Sequence, residues 1–159
     1  MAQTLSKDAC RKAAQEFLSR RDANHRGGVL PADCRPANFD DAFAIQMATV
    51  EASGRKIGGW KCLVPLDPAK IIVSPILEGT IQHGDACRVQ PTEPGKTLIE
   101  PEIAFLLGTD LPARSGGYTD PEVDDAIGSC HMALELLQRR YAADADVIFA
   151  DRQADCLLN

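Results

Sequence analysis

The chain lacks the marks of several common protein classes. It has no C-x-x-C pair and no zinc-type ligand spacing, which excludes a structural zinc module. Cys10, Cys34, Cys62, Cys87, Cys130 and Cys156 are widely scattered, and His25, His83 and His131 form no metal-binding word. No segment is long enough to span a bilayer. Met1 to Arg21 carries charge throughout, where a signal peptide needs an apolar stretch. The expected setting is a reducing cytoplasm with free thiols and no membrane partner. Aromatic residues make up only 5% of the chain, no basic stripe is interleaved with them, and the formal net charge is −6. That balance argues against a general nucleic-acid binder. There is no internal repeat and no low-complexity linker.

What is present suits one soluble globular domain with a real core: 159 residues, 45% hydrophobic and 25% charged. Leu5, Ala9, Ala13 and Phe17 recur at helical spacing, with Thr4 or Ser6 as the N-cap. His25 to Pro36 reads as a loop. Phe39, Phe43, Met47 and Val50 mark a second amphipathic helix, capped by Asn38 or Asp40 and ended by Gly54. Beyond it the period changes. Gly58–Val64, Ile71–Ile76, Cys87–Gln90 and, most clearly, Leu98–Leu107 are strand candidates. Asp120-Pro121-Glu122 starts a helix that stops near Gly128, and Met132–Leu137 is a further strand. The apolar residues of Asp144–Leu158 have mixed spacing and assign no element. The chain ends on Leu157-Leu158-Asn159 with no polar tail, which gives it an interrupted look.

The chemistry concentrates in three acids. Glu100 and Glu102 stand one residue apart in an apolar strand, so they share a face. Glu135 lies among Leu134, Leu136 and Leu137. Carboxylates gathered on a buried face repel each other and lose solvation unless a cation joins them, and Mg²⁺ or Mn²⁺ favours oxygen donors. The spacing of Glu100 and Glu102 fits a second arrangement equally. In it the acids lie on a solvent face with Leu98 and Ala104, and Ile99, Ile103 and Phe105 face the core. Lys61, likewise, suits an exposed strand lysine as well as a site residue.

An ordered set of words decides how these residues are read. They are Asp41-Ala42-Phe43-Ala44-Ile45-Gln46, Gly59-Trp60-Lys61, Glu100-Pro101-Glu102-Ile103-Ala104-Phe105, Ala133-Leu134-Glu135-Leu136 and Ala154-Asp155. In order and spacing they resemble the fumarylacetoacetate hydrolase superfamily over nearly the whole chain. The branch they resemble is that of the 2-keto-4-pentenoate hydratases and 4-oxalocrotonate decarboxylases. The resemblance implies an α+β fold: an N-terminal helical region, 1–56, then 57–159 as the first part of a β-rich catalytic domain. That domain is a mixed β-roll, incomplete at the C-terminus and completed by further sequence or a second chain.

It also implies Mg²⁺ or Mn²⁺ on Glu100, Glu102 and Glu135, with Lys61 and Asp155 as catalytic residues. Lys61 would polarise the oxo group or carry a proton. The implied activity is hydration of 2-hydroxydienoates in aromatic catabolism, on a small 2-oxo or 2-hydroxydienoic acid, by a homo-oligomer. The alternatives are decarboxylation of a 2-oxo-enedioate and a non-catalytic subunit or fragment of such an enzyme. Several positions depart from the family pattern. Only Glu78 remains of an acid pair after the strand that follows the lysine. Gln138 stands where an acid is frequent, and Cys156 and Leu158 replace polar residues near the end.

Overall fold

The computed structural model describes residues 4–64, 71–84, 86–89, 91 and 95–156. Helix α1 (Lys7–Asp22) begins where Ser6 Oγ accepts the Ala9 N–H at 3.2 Å. Helix α2 (Phe39–Ser53) begins where Asn38 Oδ1 accepts the Asp41 N–H at 3.0 Å, and it ends at Gly54 in the left-handed region (φ 65°). Of the paired cap expectations, Ser6 and Asn38 are the residues used.

The face that α2 buries is not the aromatic one. Phe39 and Phe43 are exposed, and the buried positions are Asp41, Ala42, Ile45, Gln46 and Thr49. Each polar residue of that face makes at least one hydrogen bond, although Gln46 Oε1 is left without one among the described residues. Asp41 accepts from Thr4 N (2.7 Å), Thr4 Oγ1 (2.7 Å), Leu5 N (2.9 Å) and Ala37 N (3.1 Å). Thr49 Oγ1 donates to the Ile45 carbonyl, and Gln46 Nε2 to Ser74 Oγ at 2.8 Å. Burial therefore follows hydrogen-bond satisfaction as well as hydropathy. Phe39 instead meets Phe149 edge to face, 5.7 Å between ring centroids.

Strand β1 (Ile57–Cys62) pairs antiparallel with β2 (Val73–Leu77), and β3 (Leu98–Leu107) pairs antiparallel with β4 (Ile127–Leu137). Among the described residues these are two separate two-stranded sheets, with one parallel bridge, Gly27 to Tyr141. Residues 86–89 and 91 carry no strand, and Gln90 lies outside the described residues, so the Cys87–Gln90 strand is not seen. Strand β4 starts five residues earlier than the expected Met132. It runs straight on from α3 (Asp120–Ala126), whose first turn is held by Glu122 Oε2 accepting from Thr119 N–H at 2.8 Å. Gly128 and Gly108 pass so close that a Cβ on Gly128 would lie 3.0 Å from Gly108 Cα.

The unassigned tail holds α4 (Phe149–Ala154). Its buried positions, Ala150, Asp151, Gln153 and Ala154, are small or polar, which is why the apolar pattern missed it. The core joins α1 and α2 to the far end of the chain: Cys10, Ala13, Phe17, Leu30, Cys34, Ala42, Ile45, Tyr141 and Ala154. Phe17 and Tyr141 meet edge to face at 6.0 Å, and Tyr141 Oη donates to the Asp151 carbonyl. The core thus draws on residues from both sides of position 56. The architecture is α+β, and no helix among the described residues is long and apolar enough to cross a membrane.

Candidate metal centre

Strand pleat and register bring the three acids together. Glu100 lies directly opposite Glu135 across the β3–β4 ladder, and Glu102 opposite Ala133. Directly opposed residues share a face, and so do residues two apart, so all three carboxylates project from one side of the hairpin. One oxygen from each lies within 4.8 Å of the others. The side that bears the acids meets β1. The opposite side carries Ile99, Ile103, Phe105, Met132 and Leu134, all exposed. Neither arrangement open in the sequence holds in full: the acids face Lys61, but Glu100 is half-exposed, and Leu98, Ala104 and Leu106 on their side are exposed as Ile99, Ile103 and Phe105 are on the other.

Lys61 meets the acids from β1. It is the one buried residue of the strand Ile-Gly-Gly-Trp-Lys-Cys. Its Nζ lies 3.1 Å from Glu100 Oε2 and 3.3 Å from Glu102 Oε1, and it donates to Glu135 Oε2. Burial works against the Lys61 ammonium. The hydrogen bonds to Glu135 and Glu100 outweigh it and hold its pKa above the ordinary lysine value. Burial likewise pushes the Glu135 carboxyl up to about 7, against the pull of Lys61 and with the like charges of Glu102 and Glu100 adding to the rise.

The backing of Lys61 was not foreseen as a unit. Ser74 is its ladder partner on β2, and Gln46 Nε2 holds Ser74 Oγ and also donates to the Gln153 carbonyl. A glutamine in the middle of an otherwise apolar helical word was the available signal. Asp155, the remaining candidate, is buried and accepts from Arg140 Nε. Among the described residues no hydrogen bond or ion pair joins it to Lys61 or the three glutamates. Glu78 is exposed in a turn, Gln138 is half-buried, and Leu158 lies outside the described residues.

The donor set fits a hard divalent cation. It offers three carboxylates, and Glu135 Oε1 is buried with no hydrogen-bond partner among the described residues. An octahedral Mg²⁺ site with bonds near 2.1 Å sets adjacent oxygens about 3.0 Å apart and opposite ones about 4.2 Å, so the carboxylates would draw together on a bound ion.

No protein-family model matches the chain, and no curated protein matches it in sequence. Among solved structures it is similar to 4-oxalocrotonate decarboxylase from Pseudomonas putida G7, complexed with magnesium and adipate, with a TM-score of 0.71 at 19% identity. The match covers 99% of this chain and 62% of that one, so the chain spans under two thirds of that protein's length. At that identity the likeness is one of fold.

Proposed function

We propose that the chain carries the metal-binding face of a divalent-metal-dependent lyase for small 2-oxo or 2-hydroxydienoic acids, acting as a hydratase of 2-hydroxydienoates. The observation that supports this most is the convergence of Glu100, Glu102 and Glu135 on one side of the β3–β4 hairpin, with Lys61 against them. In this reading the three glutamates hold Mg²⁺ or Mn²⁺. The ion supplies Lewis-acid charge to a substrate whose reaction develops enolate character. Lys61 sits where it can deliver or accept a proton at that substrate. In this reading Asp155, whose carboxylate is committed to Arg140, serves the fold and does not touch the substrate.

Decarboxylation of a 2-oxo-enedioate is the second reading, favoured by the activity named for the solved neighbour. The two β-pairs belong, in this proposal, to a mixed β-roll completed by further polypeptide in a homo-oligomer, and the bare outer side of the hairpin supports that. The free cysteines suit a cytoplasmic enzyme.

Thermal melting with Mg²⁺ plus oxalate, a chelating enolate mimic, tests the site. The pair should stabilise the wild-type chain and not Glu102→Gln. No stabilisation, or equal stabilisation of both, overturns it. Assays of dienoate hydration and of CO₂ release from the enedioate then separate the two activities.

A further inference from the structure

Strand β1 buries a single side chain, and that side chain is a lysine. Burying an ammonium is costly unless it is paired and hydrogen-bonded. Lys61 is paired three times over, to Glu100, Glu102 and Glu135, and these are the same carboxylates that form the candidate cation site. One ammonium does not saturate three carboxyl groups, and Glu135 Oε1 has no hydrogen-bond partner among the described residues. The cluster is therefore held together by an ammonium but not satisfied by it.

A divalent ion bound by the three carboxylates competes with Nζ for the negative charge of Glu135, whose Oε2 Nζ holds while Oε1 is left over. It also repels an ammonium at hydrogen-bond distance from every one of its ligands. We propose that Lys61 and the metal exchange on this site, an inference that rests on the metal reading above. The ammonium of Lys61 is the resident cation of the metal-free protein, and it withdraws from Glu135 when the divalent ion enters. Two consequences follow. Lys61 lowers the affinity of the site for its metal, and the amine is released toward an incoming ligand only once the metal is in place. An unloaded site is closed by its own lysine.

The test is titration of Mn²⁺ by calorimetry into the full wild-type chain, Lys61→Met and Glu102→Gln, without substrate. Lys61→Met should bind Mn²⁺ about ten- to a hundredfold more tightly than wild type, the worth of one charge-assisted hydrogen bond. Equal or weaker binding by Lys61→Met overturns the exchange alone, provided wild type binds and Glu102→Gln does not. Absence of binding by wild type and Lys61→Met alike overturns the metal site itself.

Should Lys61→Met fail to fold, the lysine ammonium NMR spectrum of the wild type decides. The resonance absent from Lys61→Arg should shift or broaden in step with added Mg²⁺. A resonance unchanged when the site is saturated overturns the exchange.

Discussion

Asp155→Ala is the sharpest probe of how the back of the fold is held. The Asp155 carboxylate and the Arg140 guanidinium are 1% and 3% exposed and face each other directly. Arg140 Nη2 also donates to the Asp155 carbonyl at 3.2 Å. Nearby, the Arg21 guanidinium is lowered to about 10, first by burial and next by repulsion from Arg140, with Asp155 partly offsetting both. Burial pushes the Asp155 carboxyl up, and contact with Arg140 opposes that.

Removing the carboxylate thus leaves two crowded guanidiniums without their counter-charge. Loss of one partner of a buried pair costs about 3–5 kcal/mol. At about 2–4 °C per kcal/mol for a chain of this size, the melting temperature falls by roughly 6–20 °C. Circular dichroism during heating measures it. Asp155→Leu combined with Arg140→Met should recover part of the loss, because the Arg140 charge leaves with its partner and only Arg21 remains without Asp155. Mn²⁺ affinity of the folded Asp155→Ala protein should stay near wild type. An unchanged melting temperature refutes the buried-pair argument. Intact stability with lost Mn²⁺ binding places Asp155 in the metal site instead.

Glu135 and Gly128 on β4 carry three further predictions. The folded-state value of about 7 for Glu135 lies above the ordinary 4.5, so its ionised form is the disfavoured one in the metal-free fold. Stability of the metal-free protein should fall as pH rises from 4.5 through 7, and Glu135→Gln should remove that fall in chemical denaturation. For the same reason the metal must displace a proton below pH 7, so Mn²⁺ affinity should weaken by up to about tenfold per unit there, and a flat profile between pH 8 and 6 would contradict it. Gly128→Ala puts a Cβ 3.0 Å from Gly108 Cα and N, both backbone atoms, whereas Gly28→Ala meets nothing within 4 Å. The first should cost about 1–3 kcal/mol and the second under about 0.5 kcal/mol in urea unfolding.

The parts of the fold that were legible in the sequence are those written in local chemistry. The caps at Ser6, Asn38 and Gly54 follow from short-range hydrogen bonding and the left-handed preference of glycine. The long hairpin strand ends where Gly108 was expected to end it. The three acids and Lys61 could be singled out because charge in an apolar run demands a partner, and the structure brings these four together. What was not legible depends on distant residues. Beyond the placing of Gln46 among apolar residues, little in Asp41, Gln46 and Thr49 announces a buried face, since their partners Thr4, Leu5, Ala37 and Ser74 come largely from elsewhere in the chain. Alternation of Ile99, Ile103 and Phe105 with the acids showed that β3 has two faces but not which one turns inward. Arg140 carried no local signal at all, and its role exists only because α4 returns to it.

Strand β3 is exposed on both sides, so hydropathy alone does not choose the side of β3–β4 that faces Lys61. A one-residue slip of a strand sends every side chain to the opposite side. For this pair, such a slip would carry Glu100 and Glu102 away from Lys61 and set Ile99, Ile103 and Phe105 beside its buried ammonium, which would then lack its partners. Charge keeps the alignment: Lys61 on one strand pair reaches across to carboxylates on the other, with Glu100 and Glu135 face to face. The cation site therefore works as a key for the hairpin as much as the hairpin works as a scaffold for the site. A cation in that position selects the strand alignment in which the ligands exist.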